Sequence, residues 1–160
     1  MTYIKRTSEN LILKALNRKK SVLLLGPRQT GKTTLIERMN ADLTITFLRP
    51  EIRQRYEQNP SILINELQSI KDQAKNKLPL VILDEVQKVP DILNVVQEII
   101  DQKHAQFILT GSSARKLYRH RDINLLPGRV VSLRLDPLTL TEYPGRSLED
   151  YLLFEPSTGM

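Results

Sequence analysis

The segment from Val22 to Thr34, VLLLGPRQTGKTT, constrains the fold more than any other part of the chain. Its four apolar residues, Val22 to Leu25, predict a buried strand, and a GxxxxGK[ST] pattern follows directly. Glycine at positions 26 and 31 permits the backbone angles and the close approach that let several N–H groups converge on one phosphate. The segment therefore predicts a strand, a phosphate-binding loop and the first turn of a helix.

The side chains of this loop suit a nucleoside triphosphate bound with Mg²⁺. Lys32 can reach the β- and γ-phosphates as a point charge, and the hydroxyl of Thr33 is a ligand type that Mg²⁺ accepts. The helix that starts near Gly31 adds unpaired N–H groups and the positive end of its dipole. We expect ATP to be held by Gly26, Pro27, Arg28, Gln29, Thr30, Gly31, Lys32, Thr33 and Thr34.

A second landmark lies about fifty residues further on, where the apolar run LVILD closes in two consecutive carboxylates. An uninterrupted apolar run is typical of a strand that is buried on both faces. Asp84 is expected to hold Mg²⁺, usually through a water. Glu85 is expected to take a proton from a water that attacks the γ-phosphate. The alternative is that both carboxylates only end the strand at the surface.

The pattern of apolar segments predicts an α/β fold in which strands alternate with helices. Such alternation indicates a parallel sheet with right-handed crossovers, covered by helices in a three-layer αβα sandwich. Ser8 and Asp91 are expected to cap helices. Strands are predicted at Val22–Leu25, Leu43–Leu48, Leu80–Asp84, Phe107–Thr110 and Val130–Leu135, and helices over 8–18, 31–40 and 50–58, after Ser61, after Asp91, and over 114–121.

The strand at Leu43–Leu48 lies between the two landmarks. With Glu85 beside Asp84, this insertion resembles the additional-strand, catalytic-glutamate ATPases, which are P-loop NTPases with a five-stranded sheet of order 5-1-4-3-2. In that order the fourth strand lies between the landmarks, so its polar end would emerge beside the γ-phosphate. Ser112 is the preferred residue to sense the phosphate or orient water, with Thr110 next. An equally weighted alternative is that Ser112 caps the helix at Ala114.

Four segments together carry a closer resemblance: GPRQTGKTT, LVILDEVQKVPD, FILTGSSARKL and LPGRVVSLRLDPLTLTEY. They resemble the ATPase domain of predicted prokaryotic AAA+ ATPases that carry GPRQxGKTT. The resemblance implies nucleotide binding by residues 26–34, Walker B roles for Asp84 and Glu85, and a sensor-like role for Ser112. Members of that family usually continue for a further domain. We therefore expect an ATPase domain over residues 1–145 and a C-terminal tail, 146–160, that begins a missing or truncated region.

Arg129 stands just before the predicted fifth strand. In AAA+ domains an arginine at this place often completes the active site of a neighbouring subunit by neutralising charge in the transition state. This resemblance implies a homo-oligomer. Arg115, Arg119 and Arg121 are rivals for the role, and a basic surface helix is the alternative for the last two.

Composition excludes some classes of protein and leaves one partner open. The chain of 160 residues has no cysteine and no apolar run long enough to cross a membrane, which fits a cytoplasmic protein without thiolate metal sites. Its net charge is +6, and residues 1–38 hold nine Lys or Arg against two acidic residues, while the remainder is nearly balanced. A nucleotide explains part of this excess. Nucleic acid is a further candidate partner, and a protein target stays open.

The leading interpretation is a Mg²⁺-dependent ATP hydrolase of AAA+ type that drives a conformational change. The alternative is a nucleotide-binding switch, or a truncated remnant, that hydrolyses ATP poorly. A GTPase is disfavoured because Asn76-Lys77 is followed by Leu78-Pro79 and not by the aspartate of an NKxD motif. A small-molecule kinase is disfavoured because Glu85 suits activation of water more than activation of a substrate hydroxyl.

Overall fold

Five parallel strands form one sheet at the centre of the molecule. The computed structural model describes residues 5–73, 77–118 and 128–137. In chain order the strands are β1 (Ser21–Leu25), β2 (Leu43–Thr46), β3 (Leu80–Asp84), β4 (Gln106–Gly111) and β5 (Val130–Arg134). Their order across the sheet is β2-β3-β4-β1-β5. This is the predicted order 5-1-4-3-2 counted from the other side, so the prediction of the sheet is confirmed.

The register places the carboxyl ends of the strands together at one edge of the sheet. Leu25 at the end of β1 pairs with Gly111 of β4 and with Arg134 of β5. Thr46 at the end of β2 pairs with Asp84 at the end of β3. The loop after β1 and the acidic pair after β3 therefore open onto the same edge, which we call the carboxyl edge. The opposite side, where the strands begin, is the amino edge.

Helices cover both faces of the sheet. On one face, α1 and α2 pack over a core that includes Ile12, Leu35 and the strand residues Val22 and Leu24. On the other face, α3, α4 and α5 pack over a larger core. The helices are α1 (Thr7–Asn17), α2 (Lys32–Glu37), α3 (Pro50–Gln58), α4 (Ile62–Gln73), α5 (Ile92–Asp101) and α6 (Ala114–Tyr118), with a 3-10 helix at Val86–Lys88.

Alternate residues of the inner strands point to opposite cores. In β3, Val81 and Leu83 belong to the larger core, while Ile82 between them belongs to the smaller one. All three are nearly inaccessible to solvent. This explains why the run LVILD is apolar throughout: a strand covered on both faces has no solvent-facing position.

Several predicted boundaries and caps are wrong. Ser8 is not the cap of α1, because the helix already begins at Thr7 and the side chain of Ser8 is buried. The apolar pattern of this segment predicts Leu11 on one face with Ile12 and Ala15, but Leu11 is 46% exposed, because the buried face of α1 follows Ser8, Ile12 and Ala15. Asp91 does precede α5, but its side chain makes no capping hydrogen bond.

Other elements are shorter or longer than predicted. The phosphate-facing helix α2 ends at Glu37 and β2 ends at Thr46, whereas β4 extends one residue beyond the prediction at each end. The predicted helix over 114–121 is described only as far as Tyr118. The predicted C-terminal tail, 146–160, and the rival arginines at 119 and 121 lie outside the described residues. None of the described helices combines the length and apolarity that crossing a bilayer requires.

Candidate functional site

The loop between β1 and α2 needs its two glycines for different reasons. Gly31 has a φ of +86°, in the left-handed region that side chains disfavour. Gly26 does not have a positive φ, but a Cβ atom there would lie 2.1 Å from the carbonyl oxygen of Leu135. The sequence argument from backbone angles therefore holds for Gly31. At Gly26 a side chain is excluded because the backbone that follows β5 passes too close.

Lys32 turns its ammonium group back onto this loop. Its Nζ donates hydrogen bonds to the carbonyl oxygens of Gly26, at 2.7 Å, and Pro27, at 2.6 Å. Burial lowers the pKa of Lys32 below its ordinary value of 10.5, while the nearby carboxylates of Glu85 and Asp84 act in the opposite direction. Because both carboxylates act on Lys32, the loop after β1 and the acidic pair at the end of β3 lie within electrostatic reach of each other.

A buried arginine from the N-terminal segment ties the loop to the end of β5. Nη1 of Arg6 donates to the carbonyl oxygen of Thr30 at 2.8 Å, and Nη2 donates to that of Asp136 at 2.5 Å. The hydroxyl of Thr30 in turn donates to the carbonyl oxygen of Pro27 at 2.9 Å. These bonds fix the path of the loop from two sides. They join residues that are 24 and 130 positions apart in sequence.

Asp84 is held between hydroxyl groups of the two neighbouring strands. Thr110 on β4 donates to its Oδ1 at 2.5 Å, and Thr46 on β2 donates to its Oδ2 at 3.1 Å. The Thr110 oxygen also accepts a hydrogen bond from the backbone N–H of Glu85 at 3.0 Å. Thr110 is completely buried. This runner-up for the sensor role therefore contacts the acidic pair directly.

Glu85 has an unusual backbone and a specific side-chain partner. Its φ of 62° and ψ of 48° are left-handed, a conformation that costs energy for a residue other than glycine and that is often found at functional sites. Its Oε2 accepts a hydrogen bond from Nε2 of Gln87. The same nitrogen donates to the hydroxyl of Ser112 at 3.3 Å. Gln87 thus joins the predicted base to the predicted sensor.

The remaining loop residues are open to solvent. Pro27, Arg28, Gln29, Gly31, Thr33 and Thr34 are exposed, whereas Thr30 is buried. Gln29 adopts a left-handed backbone with a φ of 63°. Oxygen ligands of the kind that Mg²⁺ prefers are present in the exposed hydroxyl of Thr33 and the carboxylate of Asp84. These residues fit the magnesium nucleotide that the loop motif predicts.

Arg129 lies at the amino edge, away from the carboxyl edge of its own chain. It precedes β5, where Val130 pairs with Ser21 at the start of β1. A strand of five residues is about 16 Å long, which is further than an arginine side chain extends. Arg129 forms an ion pair with Asp101, Nε to Oδ1, at 2.6 Å, which lowers the pKa of that carboxyl group. Any catalytic role would be in a neighbouring chain. The rival Arg115 is exposed on α6.

Three residues of the site were not predicted: Arg6, Thr46 and Gln87. Only Gln87 had a signal, since it follows Glu85 by two positions in DEVQK. Oε1 of Gln87 lies next to Gly111, where it is buried and has no hydrogen-bond partner among the described residues. Thr46 ends β2 opposite Asp84, and the sequence could have identified it only after the strand order was known.

Two curated proteins of similar sequence are named only as uncharacterized. Uncharacterized proteins of Mycobacterium tuberculosis and Mycobacterium bovis are each 29% identical to the chain over 153 residues. The matches cover 92% of this chain but 32% of each relative. The chain thus spans about a third of the length of the curated relatives it matches.

Two solved structures from eukaryotes share this fold. The Caenorhabditis elegans protein PCH-2 gives a TM-score of 0.54 at 18% identity, covering 84% of this chain and 40% of that one. A chain of the Drosophila ORC bound to DNA gives a TM-score of 0.58 at 10% identity, covering 86% of this chain and 93% of that one. At these identities the likeness concerns the fold.

Membership of a family rests on a broader match. The sequence model described as an AAA domain matches residues 18–144, a range that includes the phosphate-binding loop, the acidic pair and β5. The sheet order and the position of the loop at the carboxyl edge agree with it. The chain therefore belongs to the AAA domain family of nucleotide-binding ATPases.

Proposed function

We propose that the chain is a Mg²⁺-dependent ATP hydrolase whose cycle drives a conformational change. The observation that carries the proposal is that the loop bearing Lys32 follows β1 and the acidic pair ends β3, with β4 between these two strands, so that both lie at the carboxyl edge. A lysine that contacts phosphate and a carboxylate that activates water must face the same small volume. This juxtaposition supports one reaction site built from both sequence landmarks.

The residues of the loop would bind and orient the triphosphate. Lys32 exchanges its hydrogen bonds to the carbonyl oxygens of Gly26 and Pro27 for bonds to phosphate oxygens, which are stronger because both partners are charged. Arg6 and Thr30 hold the loop in the required path. Thr33 and Asp84 would hold Mg²⁺, which when bound neutralises charge on the phosphates.

Glu85 would act as the general base. It is 8% exposed, and its side chain is oriented by Gln87. Orientation matters because a water molecule must lie in line with the bond that breaks. Ser112 would contribute a hydroxyl that senses the phosphate, and its hydrogen bond from Gln87 would report that contact to Glu85.

A second candidate is a nucleotide-binding switch with little hydrolysis. The observation that favours it is the same hydrogen bond from Gln87, which occupies one oxygen of Glu85. An enzyme whose base is held in this way hydrolyses ATP slowly until a partner or a neighbouring subunit breaks the hydrogen bond from Gln87. The proposed function has further parts that apply to both candidates. We propose that the chain assembles into a homo-oligomer in which Arg129 of a neighbouring chain completes the site. We also propose a cytoplasmic location and action on a nucleic-acid or protein target.

The test compares ATP binding and turnover in the wild type and in Glu85→Gln. The variant keeps the shape of the side chain but removes the base, so we expect ATP affinity to be unchanged and turnover to fall by about 10²- to 10⁴-fold. Wild-type turnover close to that of the variant, with normal binding in both, would favour the switch. Failure of the wild type to bind ATP with Mg²⁺ would refute both candidates.

A further inference from the structure

The amino edge of the sheet carries a row of basic residues on neighbouring strands. Lys77 lies three positions before β3, Lys103 three positions before β4, and Lys19 and Lys20 directly before β1. These three strands are adjacent in the order β3-β4-β1. Because neighbouring strands are about 4.8 Å apart, the first residues of these three strands lie within roughly 10 Å, and the lysines belong to the loops that lead into them. Lys19, Lys20, Lys77 and Lys103 are all exposed.

Two of these lysines have a backbone conformation in which lysine is unusual. Lys19 has a φ of 59° and Lys103 a φ of 55°, both left-handed. Each follows a helix in the same capping arrangement. After α1, Lys20 donates its N–H to Ala15 and Lys19 donates to Leu16. After α5, His104 and Lys103 donate in the same way to Ile99 and Ile100. The left-handed position of this motif is usually glycine or asparagine.

Favourable interaction with the helix dipole does not by itself account for Lys19. A cation near a helix C-terminus is stabilising, but Lys14 in the last turn of α1 provides that without a strained backbone. At a third junction on the same edge, after α2, the left-handed residue is Asn40, the type expected there. Lysine at two left-handed positions of this edge, where Asn40 and Gly128 show the residue types usually found, therefore points to a use for its side chain.

The positive charge of this edge is not neutralised within the described structure. Among residues 5–73, 77–118 and 128–137, no carboxylate forms an ion pair with Lys19 or Lys103. The two aspartates of the edge have other partners: Asp101 pairs with Arg129, and Asp42 accepts a hydrogen bond from the backbone N–H of Leu80. The row is thus available to an external anion.

We propose that the amino edge binds the phosphodiester backbone of a nucleic acid, with Lys19 and Lys103 as its central contacts. Cations in the loops before neighbouring strands match a polymer that carries a charge at each repeat. The described residues that precede β3, β4 and β1 at this edge include no Phe, Tyr or Trp, and His104 is the one aromatic ring among them. Recognition would therefore be independent of base sequence. The site is separate from the ATP site, so it does not rest on the proposed hydrolysis.

The experiment measures binding of a fluorescent DNA duplex of about 20 base pairs by anisotropy, without nucleotide, over a series of salt concentrations. The proteins are the full chain, the double variant Lys19→Gly/Lys103→Gly, and Asn40→Gly as the matched control. Glycine accepts the left-handed backbone, so all three are expected to fold, which thermal unfolding checks. The same measurement with a single-stranded RNA shows whether the site prefers DNA or RNA.

We expect the double variant to bind about tenfold more weakly, with the slope of log K against log salt smaller by about 2, because two phosphate contacts are lost. Asn40→Gly should bind like the wild type. Equal affinity and slope in the double variant, or no binding of DNA or RNA by the wild type at low salt, would refute the proposal. Displacement of the DNA by poly-glutamate, added at an equal concentration of negative charge, would also refute the proposal and would favour an acidic protein partner.

Discussion

The charged residues at the two edges of the sheet differ in their burial and in their contacts. At the carboxyl edge, Lys32, Asp84 and Glu85 are each less than 9% exposed, and each has named hydrogen-bond partners. At the amino edge, Lys19 and Lys103 are exposed and are distinguished by their backbone conformation. A buried charge is costly without partners, so its contacts reveal its role. An exposed charge has no such requirement, and only an otherwise unfavourable position indicates a function.

The largest effect is expected from removal of Lys32, which begins α2 beyond the carboxyl end of β1. Lys32→Ala should abolish the stabilisation of the fold by ATP with Mg²⁺, because it deletes the cation that faces the phosphates. At a nucleotide concentration about 1,000 times Kd, that stabilisation amounts to about 4 kcal/mol in the wild type. Thermal unfolding with and without nucleotide measures it.

The matched control is Lys20→Ala, at the other end of the same strand. Lys20 is exposed, and its Nζ donates to the carbonyl oxygen of Gly128 at 3.1 Å. This variant should retain the full response to ATP. If the two variants lost the response equally, the separation of the two edges into different binding surfaces would be wrong.

The sequence predicted the elements of the fold that depend on local apolar runs. The run LVILD matched β3 residue for residue, because a strand buried on both faces leaves no polar position to confuse its limits. Helix α1 was harder. Its apolar residues include Leu11, which the sheet does not cover, and Ser8, which is polar, is buried in its place. Which face of an amphipathic helix is buried depends on how the helix lies on the sheet.

For the site, the sequence identified residues that belong to short motifs and missed those that act from a distance. Asp84 and Glu85 follow an apolar run, and Lys32 follows a glycine loop, so each has a local signal. Arg6 contacts the loop across 24 positions, and Thr46 reaches Asp84 across 38. Nothing local marks either residue, because their partners are set by the strand order.

The next prediction tests whether the amino edge contributes to catalysis in a neighbouring chain. If Arg129 completes the site of another subunit, turnover per chain should rise with protein concentration, because the complete site exists only in an assembly. Arg129→Ala should lower turnover by about 10³-fold and flatten that dependence. ATP affinity should change little, since a contact made in the transition state affects rate more than ground-state binding. Steady-state kinetics over a dilution series measure both.

Mixing two inactive variants provides the control for this prediction. A chain with Arg129→Ala retains its base, and a chain with Glu85→Gln retains its arginine, so one shared interface can contain both groups. Partial recovery of turnover on mixing is expected. No recovery, together with turnover that does not depend on concentration in the wild type, would leave Arg129 with the structural ion pair to Asp101 as its role.

The smallest effect is expected at Gln87, which joins Glu85 to Ser112 and does not itself have to touch the nucleotide. Gln87→Leu should lower turnover by about tenfold with unchanged ATP affinity, because a base that is free to rotate spends less time aligned with the attacking water. A glutamine at the amino edge supplies the matched control: Nε2 of Gln102 donates to Oε1 of Glu98 at 3.4 Å, on the exposed surface. Gln102→Leu should leave turnover unchanged. Faster turnover in Gln87→Leu would mean that the hydrogen bond restrains Glu85 and would favour the switch over the constitutive hydrolase.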